Sequence, residues 1–262
     1  MKTLFRLTLV ALSLGLFAWA FGLVWEHPSA LDLWIWPKAP HLNHVFIASI
    51  AAAIAAPILW IAWTGILDAS AGGALNLLLV DCGSAWSLHR DPAFATDERV
   101  QNFFWIYLGM IPPTLAVLFA SLRLPASERS PIPALARWSF LGFSLWLVGA
   151  GLALVCAAPH VFPWPLKPLH SELYGWIFLG AALYFGYGFL RPSRANACGQ
   201  LLGFLAYDVV LLPPFLRHLG SVLPEHRSSL IVYLVALVYS ALLAVWFLFL
   251  DRRTRILAPR AG

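Results

Sequence analysis

Long apolar runs separated by short polar connections fill this chain from end to end. Seven of them, over residues 7–25, 45–67, 100–122, 135–157, 173–190, 197–216 and 230–250, are each near the length of a membrane-crossing helix. A hydrocarbon core of about 30 Å takes about 20 residues of helix. Backbone groups in lipid must be satisfied within the segment, so helices are the expected form. The alternating ten-residue pattern of an outer-membrane barrel is absent from the sequence. An eighth stretch, 69–88, reads ASAGGALNLLLVDCGSAWSL. Its small residues suit close helix packing, while Asn76 and Asp81 raise the cost of insertion. It can be read as a crossing helix or as an interfacial or re-entrant segment.

The basic residues arbitrate. With eight crossings, Lys2, Arg6, Arg123, Arg129, Arg137, Arg191, Arg194, Arg252, Arg253, Arg255 and Arg260 fall on one side, and the other six fall opposite. The positive-inside tendency then makes both termini cytoplasmic, whereas seven crossings leave the basic N-terminus outside. The sequence therefore predicts an all-α polytopic transmembrane helical bundle of seven or eight spans, eight preferred. It is expected to form a single integral membrane domain over 1–262, in a bacterial cytoplasmic membrane. The first run also has the anatomy of a signal peptide, with Ala18-Trp19-Ala20 as its cleavage-like site; it is read as a retained anchor. We find no internal repeat at this level.

Composition narrows the function classes. Of 262 residues, 61% are hydrophobic and 11% charged, against about 25% charged in a soluble domain. Lipid is the expected partner, further membrane proteins are possible ones, and the net charge of +5 is explained by topology. No clustered basic face suggests nucleic acid. Cys82, Cys156 and Cys198 lie far apart, so no disulfide framework or CxxC metal site is expected.

The eight histidines, His27, His41, His44, His89, His160, His170, His218 and His226, avoid span centres and share one side of the eight-span topology. Imidazole is the commonest metal ligand and titrates nearest neutral pH. His41 and His44 are one helical turn apart, and His160 and His170 bracket the stiff Pro163-Trp164-Pro165 segment. With Glu172 as a further ligand, these four form a candidate site for a transition metal, with haem as an alternative cofactor. The bland alternative is a rim of interfacial histidines beside an aromatic belt, to which several of the 13 tryptophans belong.

Asp208 is the other candidate. It lies near the centre of its run, where an ionisable group costs at least about 2.5 kcal/mol on insertion scales and faces a cavity or a partner. Asp81 reads as a position nearer a span end. Pro57, Pro112-Pro113 and Pro213-Pro214 interrupt three runs, and broken helices often line cavities. There is no Walker A loop, GxSxG elbow or HExxH motif. Three functions remain open: a metal- or haem-dependent redox enzyme or assembly component using the histidines; a solute or ion transporter using Asp208; and an accessory subunit of a larger membrane complex.

Overall fold

The computed structural model describes residues 2–125, 132–251 and 254–256, with side chains from residue 4 onward. Arg129, Arg252, Arg253 and Arg260 of the charge count lie outside the described residues, as does the side chain of Lys2. The described residues form α1 (Lys2–Val24), a short α2 (Pro28–Asp32), α3 (His41–Thr64), α4 (Ser70–Arg90), α5 (Glu98–Arg123), α6 (Ala134–Val155), α7 (Pro168–Leu190), α8 (Arg194–His218) and α9 (Arg227–Val245). The last continues as a π-turn over Trp246–Leu250. Seven of these helices are long and apolar enough to cross a membrane, and α4 is not among them. Yet α4 lies antiparallel along α7 over its whole length. Gly72 meets Tyr184 and Tyr187, Asn76 meets Gly180, and Gly83 meets Trp176. Hydropathy thus gives seven candidate spans among the described residues, with α4 packed along one of them.

The prolines do not break their helices. Helices α3, α5 and α8 run unbroken past Pro57, Pro112-Pro113 and Pro213-Pro214, which corrects the expectation of interrupted spans. Proline at 57 cannot donate to the carbonyl four residues earlier, that of Ala53. Gly203 of α8 lies against that carbonyl; any Cβ there would stand 3.2 Å from it. Neighbouring helices thus accommodate the defect. The sharp stop of α3 is Gly65, whose φ of +75° lets its N–H reach Ile61 O, a left-handed conformation that glycine adopts without penalty.

The long helices form two rows. In one, α1 packs on α3, α3 on α8 and α8 on α9; in the other, α5 packs on α4, α4 on α7 and α7 on α6. Within a row the helices approach at small residues, as where Gly151 of α6 meets Gly175 of α7. Between rows the space is filled by rings. Phe46 meets Tyr174 at 4.6 Å, Phe143 meets Phe204 at 4.6 Å, and Phe185 stacks on Phe204 at 4.2 Å.

This neighbour pattern maps onto itself when α1, α3, α4 and α5 are exchanged with α6, α7, α8 and α9. The correspondence extends to individual bonds. In the first hairpin Arg6 Nε donates to Ala62 O at 2.7 Å and Ser13 Oγ to Ala55 O at 2.8 Å. In its counterpart Arg137 Nε donates to Phe189 O at 3.2 Å and Ser144 Oγ to Ala182 O at 2.9 Å. Both donor pairs and both acceptor pairs are seven residues apart. The two opening helices also end alike, in Glu26 at φ 51° and Ala157 at φ 52°. The chain is therefore a tandem pair of four-helix halves, a correction to the expectation that it holds no repeat.

Gly149 and Gly151 test the packing of α6 from two residues apart. A Cβ at Gly149 meets nothing within 4 Å, whereas one at Gly151 stands 2.8 Å from Leu179 and 3.1 Å from Gly175 O. We expect Gly151→Leu to lower stability in detergent by about 1–3 kcal/mol, and Gly149→Leu to leave it unchanged or raise it, read from denaturant unfolding of the two variants.

Candidate functional site

Two carboxyl groups sit at matched places in the two halves. Asp81 is on α4 and Asp208 on α8, 6% and 1% exposed. Counting 1.5 Å per residue, Asp81 lies about 14 Å and Asp208 about 15 Å from the helix ends Arg90 and His218, near the mid-depth of a 30 Å core. The placement of Asp81 near a span end is thereby corrected. Each carboxyl accepts one hydrogen bond from a hydroxyl on the next helix of its own half. Thr114 Oγ1 of α5 reaches Asp81 Oδ2 at 3.3 Å, and Ser240 Oγ of α9 reaches Asp208 Oδ1 at 3.0 Å. The second oxygen of Asp208 is buried without a partner. Neither carboxyl takes part in an ion pair among the described residues.

Tyrosines surround the pair. Seven residues before each hydroxyl donor stands a tyrosine, Tyr107 before Thr114 and Tyr233 before Ser240. Tyr107 is within electrostatic reach of Asp81, and Tyr233 of Asp208. The hydroxyls of Tyr207 and Tyr233 bond at 2.9 Å. Tyr174 of α7 packs against Phe46 at 4.6 Å, and its own hydroxyl is buried without a partner. The arrangement offers exchangeable protons on carboxyl and phenol groups, with no ion pair to either carboxyl among the described residues.

All eight histidines do lie at one end of the bundle, where α1, α4, α6 and α8 finish and α3, α5, α7 and α9 begin. The structure uses the buried ones to fasten connections to helices. His44 Nδ1 lies 3.0 Å from Glu26 Oε1 and its Nε2 3.3 Å from Trp36 O. His41 Nδ1 stands 3.3 Å from the same Glu26 oxygen. His170 stacks on the Trp36 ring, 3.5 Å between centroids. His226 Nδ1 donates to Phe162 O at 2.7 Å, and its ring lies 5.0 Å from that of His160. Arg99 does the corresponding work in the first half, donating to Trp34 O at 3.2 Å.

Of the four histidines and one carboxylate proposed as ligands, His41 and His44 share Glu26, His44 and His170 meet the same tryptophan, and His160 instead contacts His226. Glu172 is half-buried on α7. Among the described residues no three His, Cys, Asp or Glu side chains come together in a group that could hold a metal ion. Glu26 and Trp36 were passed over as site residues by the sequence reading, and Asp81 was placed near a span end. The signal for Asp81 was present: an aspartate, then a tyrosine 25 or 26 residues on, then a hydroxyl seven further, occurs in both halves. The chain matches no protein-family model, no curated protein and no solved structure.

The hydrogen bond from His44, aided by His41, holds the Glu26 carboxyl below its ordinary value of 4.5. A folded value below the unfolded one adds stability above pH 4.5 that is lost as pH falls through the folded value. We therefore expect the thermal midpoint of the wild type to exceed that of Glu26→Gln at about pH 6, and the gap to close by about pH 3. The comparison is a pair of melting curves in detergent across that range.

Proposed function

We propose that the protein is a membrane transporter in which Asp81 and Asp208 bind and release the coupling proton. The observation that carries this reading is the repeated pair, Asp81 with Thr114 and Asp208 with Ser240, buried at mid-depth without a cationic partner. A bare carboxylate there is expensive. Its charge is tolerated only when water, a cation or a proton reaches it, and that requirement couples protonation to which end of the site is open. Several transporter folds are built from repeats with the coupling site at the midplane between them, and the two four-helix halves have this form. The basic end is taken as cytoplasmic by the positive-inside tendency. The histidine end then faces the opposite compartment.

A metal- or haem-dependent redox enzyme would need a converging ligand set. His44 and His226 instead bond the carbonyls of connecting segments, and among the described residues no three potential ligands converge. The apolar face of α5, with Trp105, Met110, Phe119 and Leu122 exposed, is the ordinary covering of a lipid-facing helix.

Purified protein in liposomes loaded with a pH-sensitive dye tests the proposal. Under an imposed membrane potential we expect proton entry above that of protein-free vesicles. Asp208→Asn and Asp81→Asn should each reduce it by about tenfold or more, a loss on the order of 1.4 kcal/mol in barrier height. Wild-type flux no greater than in empty vesicles, or unchanged flux in both well-folded variants, would contradict it.

A further inference from the structure

At one of the places where the two halves differ, the second half is open. A cavity of about 220 Å³ lies between α6, α7 and α9 under the segment that joins α6 to α7. Its walls include Trp146, Phe162, Phe178 and Tyr233, with Ser228 and Ser229 at the first turn of α9. The corresponding place in the first half is packed with rings. Trp19 of α1 meets Trp34 at 6.2 Å, and Phe103 of α5 meets Trp34 at 5.7 Å. The hairpin bonds place Trp19 opposite Ala150, since each lies six residues beyond the matched serine. Tyr107 and Tyr233 place Phe103 opposite Ser229, each four residues earlier. Trp34 corresponds to Phe162: each precedes a tryptophan by two residues, edge-on to it, and has its carbonyl held by a basic side chain.

The second half thus keeps the wall ring and has exchanged these two aromatic partners for alanine and serine, while its wall rings Trp146 and Phe178 stand where the first half has Gly15 and Ala51. We infer that the cavity is a binding site for one planar-ring amphiphile drawn from the bilayer, of the alkylphenol or quinone type. The ring would take the place that Trp19 and Phe103 fill in the other half and pack against Phe162 as they pack against Trp34. A cavity of about 150 Å³ lined by apolar side chains takes up benzene, so 220 Å³ accommodates one substituted ring. Its entrance lies between α6 and α9, the last helices of their rows, where Val232 is 53% exposed at the rim. Ser228 and Ser229 stand at the helix end, at headgroup depth, where the ring's polar substituent can find a hydroxyl. Ser229 already donates to His160 O, which leaves its oxygen free to accept. This inference does not depend on proton transport by the carboxylates.

The test uses the full chain in phosphatidylcholine vesicles and two photoreactive probes, an aryl-diazirine decylphenol and a phosphatidylcholine with the diazirine on its acyl chain. We expect the phenol probe to label residues 146–154 and 228–233, and excess unlabelled decylphenol to suppress that labelling. Ala150→Trp and Ser229→Phe, which install the first half's own plug, should each reduce labelling by about tenfold. Should either variant fail to elute as folded protein, suppression by unlabelled decylphenol decides alone. Labelling of the same residues by the lipid probe that decylphenol does not displace would overturn the inference, as would phenol labelling that neither competitor nor folded variant reduces. Proton flux measured on the same variants keeps this outcome separate from the transport reading.

Discussion

Apolar side chains give helices no reason to associate in lipid, because the surrounding tails are as apolar as they are. What fastens this bundle is therefore a small set of polar side chains that reach the backbone of the neighbouring helix. An arginine and a serine, seven residues apart, donate to two carbonyls seven residues apart on the returning helix, at Arg6 and Ser13 and again at Arg137 and Ser144. That seam fixes the register of each opening hairpin. With the register fixed, small residues come to lie opposite larger ones, α4 is drawn along α7, and the aspartate of the third long helix is brought to the hydroxyl of the fourth. The buried carboxyl pairs are a consequence of a hairpin set in one register twice.

The two halves also diverge in places. Glu26, exposed at the end of α1, anchors His41 and His44; its counterpart Ala157 anchors nothing of the kind. Phe162 O is held by His226, whereas Trp34 O is held by Arg99. Both latches keep a tryptophan-bearing connection over the bundle, and each half uses a different nitrogen donor for it, an arginine in one and a histidine in the other. The ring-filled space around Trp34 and the cavity beside Phe162 are the same place in the scaffold, packed in one half and open in the other.

Most of the helical architecture was legible in the sequence, since apolar run length and polar punctuation determine crossing helices directly. The gathering of the histidines at one end followed from strict alternation of helix direction. Asp208 was legible as a buried carboxyl because it stands alone in an apolar run. Asp81 was not, since serine, glycine and asparagine around it lower the hydropathy of α4 and blur its centre. The repeat escaped notice because few residues carry it and connections of unequal length shift its register. Arg6 and Arg137 are 131 residues apart, Asp81 and Asp208 are 127, and Thr114 and Ser240 are 126. The histidines were ambiguous for a physical reason: imidazole serves equally well as a ligand and as a donor to loop carbonyls, and only geometry separates the two uses.

The central claim is that Asp81 and Asp208 are equivalent, titrating sites rather than fixed structural acids. Infrared difference spectroscopy of the protonated-carboxyl stretch, recorded on membranes during a reversible pH titration, addresses it directly. The account expects a carboxyl band that rises and falls with pH, of which Asp208→Asn removes one component and Asp81→Asn another. A band that neither substitution alters, or carboxyl groups that stay protonated at every pH the folded protein survives, would contradict it.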